Sequence, residues 1–445
     1  MNKVHVLILA ILMILNSKSA MAGDYFNKHL PKWIKLDLEV RHRFENQDNF
    51  DFNDAVDGQD SFSLFRTRFN LQLIPTEQIK FFAQFQDARV WDQDKGSKAG
   101  NEDYADMRQG YIELKDIFKF ETESIPDISF RLGRQELSYG AQRLIGGFNW
   151  SNVAQTFEAG KVMLNFPEYK LTIDGFGGTK TPIQTPRDFN QWFDNSTKDE
   201  MGGYYATFKG IENTTIEQYF IKRLVNTNIS FGPSGSANTD AFTIGGRVFG
   251  KIKDTNFDYD FEAAKQWGEF GTLDVDAQMA VAIIGYTLTD VVWTPRLAVE
   301  FDYGSGDDDR TDDELNTFNN LYPTNHLFYG FMDRASLQNL NNYVLSVSAK
   351  PCKKVQLQSD LHFLFLDTSN DSLYSAARTV IRTAPASSGA DEHIGNELDF
   401  LVKYNVNDHL KILGGVSHFF AGDFLDDTGE ADDADYFYLE TNVSF

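Results

Sequence analysis

The sequence predicts an all-β protein: a single transmembrane antiparallel β-barrel of about 18 strands, with long extracellular loops and short periplasmic turns. Three observations carry this. Apolar and polar residues alternate along a series of segments through the whole chain. The connections between those segments alternate in length, long then short. No apolar run beyond residue 22 approaches the ~20 residues of a spanning helix, although the chain opens with an export leader.

The leader comes first. Lys3 gives a positive start, Val4–Leu15 is apolar apart from His5, and Ala20-Met21-Ala22 is a small-x-small site. Residues 1–22 read as a secretory signal peptide cleaved between Ala22 and Gly23. Residues 23–445 then form one barrel domain, with 23–33 as a short periplasmic lead-in. A retained anchor is the alternative, and the shortness of the run speaks against it. An exported barrel is expected in the outer membrane of a Gram-negative bacterium, with lipid and lipopolysaccharide around it.

The strands follow. Ile34, Leu36, Leu38 and Val40 share one face and Lys35, Asp37, Glu39 and Arg41 the other. Phe65, Thr67, Phe69 and Leu71 stand against Arg66, Arg68, Asn70 and Gln72. The pattern recurs at Phe257–Ala263, Leu297–Tyr303, Val355–Phe365 and Leu398–Tyr404. A β-sandwich alternates too, so the loop asymmetry decides. The longer connections fall near 45–61, 92–104, 136–156, 177–202, 225–241, 304–342, 367–396 and 421–434, and near Gly268–Leu273 the expected long loop is short. The last strand puts Phe437, Leu439, Thr441, Val443 and Phe445 on one face. A terminal Phe445 resembles the signal that outer-membrane proteins present to the barrel assembly machinery, and a last strand must pair with the first to close the edge.

Composition excludes several classes. The chain has 445 residues, 65 Asp+Glu and 41 Lys+Arg, a net charge of −24. Losing residues 1–22 removes Lys3 and Lys18 and no acid, which leaves −26. Such a charge repels phosphate, so no nucleic-acid partner is expected. Aromatics at 14% and 39 Phe exclude disorder, and the single Cys352 excludes a disulfide scaffold.

No catalytic motif appears, and the protein is not expected to be an enzyme. Ser417 and His418 adjoin, but neighbours on a strand point to opposite faces and cannot act as nucleophile and base. The acidic run at Asp307, Asp308, Asp309, Asp312 and Asp313 leaves loop-bound Ca²⁺ as the one cofactor open to consideration, since carboxylates at this density suit a hard cation. The spacing is not that of an EF-hand, so a solvated loop or one bridging divalent ions to lipopolysaccharide fits as well.

The arginines matter most. Arg41, Arg43, Arg66, Arg68, Arg131, Arg247 and Arg296, with Lys161, fall on the predicted lumen faces. Basic pore linings favour anions, and guanidinium matches carboxylate bidentately. The alternative is that they pair with inward acids such as Asp37, Glu39, Glu113, Glu262, Glu300 and Asp399 simply to fill the interior. Arg41/Arg43 and Arg66/Arg68 should form one patch on a hairpin, with Asp37 and Glu39 as partial counter-charges.

Several ordered segments are similar to the alginate export family of outer-membrane channels: Asp106–Leu114 (DMRQGYIEL), Arg131–Gly140 (RLGRQELSYG) with Gln142–Gly146, Phe301–Asp307 (FDYGSGD), Asn316–His326 (NTFNNLYPTNH) with Tyr329, Gly330 and Asp333, Gly395–Phe400 (GNELDF), and Gly415–Phe424 (GVSHFFAGDF). The resemblance implies an eighteen-stranded barrel whose basic lumen conducts an acidic polysaccharide outward, together with periplasmic secretion components as partners. The acidic balance of this chain departs from that pattern and widens the expected solute to a related anion. A general or sugar-uptake porin is the alternative, and an adhesive barrel a weaker one.

Overall fold

The computed structural model describes residues 27–445 apart from 56–57, 96–99, 120–124, 185–187, 193, 195–197 and 386–388. The leader and its Ala22/Gly23 cleavage site lie outside the described residues. Eighteen antiparallel strands form the wall. The first nine are β1 (Ile34–Asp48), β2 (Asp60–Thr76), β3 (Ile79–Trp91), β4 (Asp103–Phe118), β5 (Asp127–Gln135), β6 (Phe157–Phe166), β7 (Leu171–Lys180), β8 (Asp199–Phe208) and β9 (Thr214–Ser230). Next come β10 (Ser236–Lys251), β11 (Phe257–Phe270), β12 (Leu273–Thr287) and β13 (Arg296–Gly304). The circle is completed by β15 (Leu340–Cys352), β16 (Val355–Phe365), β19 (His393–Asn405), β20 (Leu410–Ala421) and β21 (Ala434–Ser444). Three short strands, β14 (Glu314–Leu315), β17 (Ser372–Tyr374) and β18 (Val380–Thr383), belong to the loops.

Each wall strand pairs with its neighbour, and β21 returns to β1 with Glu39 opposite Ser444 and Asp48 opposite Asp435. Phe445 continues this ladder by exchanging main-chain hydrogen bonds with Leu38 (3.0 and 3.3 Å). Closure leaves no edge, which is what a sheet in hydrocarbon requires, because lipid offers no partner to a free N–H or C=O.

The alternation in the sequence becomes an inside and an outside. Leu132, Val299 and Leu345 are 62%, 54% and 52% exposed, and they belong to an apolar outer belt with Phe69, Phe261, Phe400 and Val416. The polar residues between them point inward and are covered. Trp33, Tyr169 and Trp293 stand exposed near the short turns, and Trp91 and Trp267 near the other rim, as interfacial aromatic girdles do.

Loop asymmetry also holds, with one correction. The connection expected over 225–241 is only 231–235, because β9 and β10 continue past the rim as a long hairpin. Residues 225–241 are polar at the alternate positions, like a loop, yet their main chain keeps the ladder. The connections 136–156 and 305–339 and the described residues of 366–392 pack into the mouth of the barrel. There Leu144, Ile145, Phe318, Tyr322, Leu337 and Leu373 form a core that the barrel wall alone does not have.

Candidate functional site

The four hairpin arginines meet as expected. Arg41 stands opposite Arg66 on the β1–β2 ladder, and Arg41, Arg43, Arg66 and Arg68 are 3%, 2%, 4% and 6% exposed. What covers them is the loop 136–156. Arg41 donates to the carbonyl of Asn149 (2.7 Å) and to Asn152 Oδ1 (3.0 Å). Arg43 donates to the Trp150 carbonyl (2.8 Å), and its guanidinium lies 3.6 Å from the centre of the Trp150 ring. Arg66 donates to the carbonyls of Asn149 (3.0 Å) and Ser151 (3.3 Å), and Arg68 to Asn149 Oδ1 (2.8 Å). Carboxylates supply only part of the compensation: Glu39 on Arg66 (2.8 Å), Glu45 on Arg43 (2.6 Å), and Glu440 at 3.5 Å from Arg43 and 3.8 Å from Arg41. Asp37, expected as a counter-charge, sits exposed nearer the turn end and forms no ion pair with the patch.

The remaining expected basic residues are inward but individually paired. Arg131 binds Glu113 (2.7 Å), Lys161 binds Asp174 (2.6 Å), Arg247 binds Asp260 and Glu217, and Arg296 binds Asp258. Pairing of lumen acids and bases is therefore real on most of the wall. The hairpin patch differs because its donors go largely to neutral carbonyls.

Further arginines are buried, among them Arg108, Arg134, Arg143 and Arg223. Arg108 on β4 donates to Gln84 (2.7 Å) and pairs with Glu136. Strict alternation puts Arg108 outside beside an inward Gln109. A register shift at Gln84/Phe85 lets both turn in, and both donate to Gln84 Oε1, a bulge that period-two counting misses. Arg143, in the inserted loop, is 1% exposed, and its Nη1 lies 3.1 Å from Glu262. Arg223 grips Asp199 through two bonds (3.0 and 2.9 Å) beneath the Tyr322 ring. Arg108 and Arg143 lie within the sequence segments singled out above, which was the available signal.

Loop 136–156 is itself anchored. The buried Asn152 amide nitrogen contacts the carbonyls of Phe65 (3.0 Å), Arg89 (3.1 Å) and Asn101 (2.9 Å). Trp150 stacks on His326 of the 305–339 connection, centroids 3.7 Å apart and 8° from parallel, so the two inserted loops hold one another.

The acidic run is turned to local bonds. Asp307 accepts from the Ser234 hydroxyl (2.5 Å), Asp309 caps its own turn through Thr311 (2.6 Å), and Asp312 accepts from the Glu314 N–H (2.9 Å). Asp308 contributes its carbonyl to Asn370 (2.8 Å), and Asp313 its carbonyl to the Asp274 N–H (2.8 Å). Among the described residues, no three His, Cys, Asp or Glu side chains converge as metal ligands do. Burial and the nearby carboxyl of Asp371 push the Asp307 carboxyl up to about 6. Ser417 donates to Asp399, while His418 points away toward Asp433 and Asp435.

A closed barrel with an apolar belt, aromatic girdles and a charged interior constricted by inserted loops is an outer-membrane β-barrel of the porin-like channel class. The chain belongs to the alginate export family, whose sequence profile matches residues 32–438. No curated protein matches the sequence. Solved structures similar in fold include Pseudomonas aeruginosa OpdO (TM-score 0.59, 12% identity, covering 94% of this chain and 99% of that one). Others are the outer membrane protein OprD of Pseudomonas aeruginosa (0.57, 12%, 93% and 94%) and Acinetobacter baumannii OccAB2 (0.58, 10%, 93% and 98%).

Proposed function

We propose that the protein is a gated channel of the Gram-negative outer membrane that passes an anionic saccharide, either an acidic polymer or a smaller acidic sugar. The observation that carries this is the arginine patch on β1 and β2, whose donors are held by the main-chain carbonyls of Asn149, Trp150 and Ser151. A carbonyl is a neutral acceptor, and a carboxylate makes roughly twice as strong a bond to guanidinium. An arriving uronate-like carboxylate therefore competes for donors that the loop holds only moderately. Family membership supports a saccharide, and the barrel class supports passive movement without covalent chemistry.

The test is the reversal potential across a planar bilayer under a salt gradient, for wild type and for Arg66→Ala/Arg68→Ala. The expected result is anion preference that weakens in the double variant. The acidic surface loops do not reverse this, because selectivity follows the lining. A wild-type pore that prefers cations overturns the anionic reading and favours a general porin.

A further inference from the structure

Rings and charges form one column where the inserted loops meet. The Arg43 guanidinium lies 3.6 Å from the Trp150 ring centre, and the His326 imidazole lies 3.7 Å from the same ring, tilted by 8°. Two groups this close to one ring centre must take opposite faces. Phe331 also stacks on His326, centroids 5.2 Å apart. His326 is 3% exposed, and its Nδ1 lies 3.1 Å from Asp333 Oδ1. One residue of the third inserted connection fixes both of these groups. Asn325 Nδ2 donates to the Ala376 carbonyl (2.8 Å) and so holds the turn that carries His326, while the Ala376 N–H donates to the Asp333 carbonyl (3.1 Å). Trp150 belongs to 136–156 instead, so the stack of indole on imidazole is a joint between two loops.

We propose that this joint is a pH-operated latch: protonated His326 holds Trp150, and with it the loop over the arginine patch, more tightly than neutral His326 does. Neutral imidazole offers the indole packing alone. Imidazolium adds attraction to the indole and phenyl faces and a charge-assisted bond to Asp333, and imidazole is the side chain that ordinarily changes charge between about pH 5 and 8. The surrounding charges favour the cation. Arg43 opposes it across the indole from roughly twice the distance of Asp333, and the nearer charge acts more strongly. Glu45 (2.6 Å) and Glu440 (3.5 Å) offset that guanidinium. Arg334 follows Asp333 in the chain, with the charges of Asp333 and Glu397 beside it. Glu397 and Asp399 on β19 face the same connection, accepting from the Met332 (2.8 Å) and Phe331 (3.3 Å) N–H groups. On β21, Tyr438 meets the Trp150 ring edge-on and Tyr436 packs beside it; both are neutral phenols below pH ~10. The inference rests on the reading of the inserted loops as a gate.

The test takes two readouts on the folded mature chain as the pH falls from about 8 to about 5. One is Trp150 emission, measured as the fluorescence that Trp150→Phe loses, because an imidazolium in contact with indole quenches it. The other is the open fraction in single-channel recordings. Wild type is expected to lose Trp150 emission and about tenfold in open fraction. His326→Phe keeps a ring against Trp150 and cannot titrate, so both changes should vanish. Asp333→Asn removes the counter-charge and should move both changes to lower pH. Retention of the folded band on unheated gels checks each variant, and should His326→Phe fail to fold, His326→Gln carries the same expectation. Constant emission, acid that opens the channel, or pH responses that persist in His326→Phe overturn the latch and leave the gated-channel reading intact. Emission that titrates through His326 beside an open fraction that ignores pH shows that the joined loops do not gate, and defeats that reading and this one together.

Discussion

Asn152→Ala should release the loop that covers the arginine patch. The Asn152 side chain is 0% exposed. Its two amide protons are shared among the carbonyls of Phe65, Arg89 and Asn101, and its oxygen accepts from Arg41 at 3.0 Å. A neutral hydrogen bond nets ~1 kcal/mol and one to a charged group ~1.5–3 kcal/mol. The contacts are cooperative, and water re-solvates some of the groups when the loop leaves. About 3 kcal/mol of the loop's hold on β2, β3 and Asn101 is therefore at stake. At 1.4 kcal/mol per factor of ten, that shifts the ratio of released to inserted loop by roughly 10²-fold. The β2–β3 ladder is held along its length by its own main-chain pairing, so the wall should survive. Single-channel recording is the assay: wild type should show long closed or low-conductance periods, and Asn152→Ala a large gain in the open fraction. Limited proteolysis should cut within 136–156 faster in the variant. Unchanged open fraction together with unchanged proteolysis would refute the reasoning, because it would mean that the amide does not hold the loop.

Three other outcomes are expected. Leu71→Arg puts a charge on the lipid face between Leu36 and Ala83 and should cost ~2–4 kcal/mol in denaturant-monitored folding into vesicles; a cost below 0.5 kcal/mol would place Leu71 outside the apolar belt. Gly133→Ala should lower stability by at least ~1–3 kcal/mol, seen as an earlier loss of the folded gel band on heating. Gly133 has φ +128, and a Cβ there would lie 2.3 Å from the Gly110 carbonyl oxygen. Asp307 has its carboxyl raised to about 6 by burial, against ~3.9 in an unfolded chain. A raised carboxyl favours the protonated folded form, so its contribution is full below pH ~4 and is lost as pH rises toward about 6. Melting temperature should therefore fall across that window in wild type, and Asp307→Asn should flatten that part of the profile; an identical profile in the variant would remove Asp307 as the cause.

The sequence by itself determined the barrel. Alternation at Ile34–Arg41 and Phe65–Leu71 is a local property, since consecutive side chains on a strand leave on opposite sides whatever the rest of the chain does. Lipid outside and water inside then assign the faces, which is why Arg66 and Arg68 are inward and Phe69 outward. The closing strand was legible for the same reason, because Phe437–Phe445 must pair to satisfy its main chain. Strand ends were not legible. Residues 225–241 look like a loop by composition, and only pairing with each other makes them extensions of β9 and β10. The inward turn of Arg108 needed a bulge that one strand's pattern does not encode.

The state of the candidate site was decided by the tertiary structure alone. Sequence placed four arginines on one hairpin and suggested Asp37 and Glu39 as partners. The fold brought Asn149, Trp150 and Ser151, more than eighty residues beyond Arg66 in the chain, to take their donors. It also carried Arg143 across the lumen to Glu262, 119 residues further on. Contacts between a loop and a distant wall follow from barrel closure and loop insertion, and no spacing along the chain records them. Which donors are covered, and by which distant carbonyls and carboxylates, are therefore properties of the closed barrel, while the charges that make them matter were written in the strands.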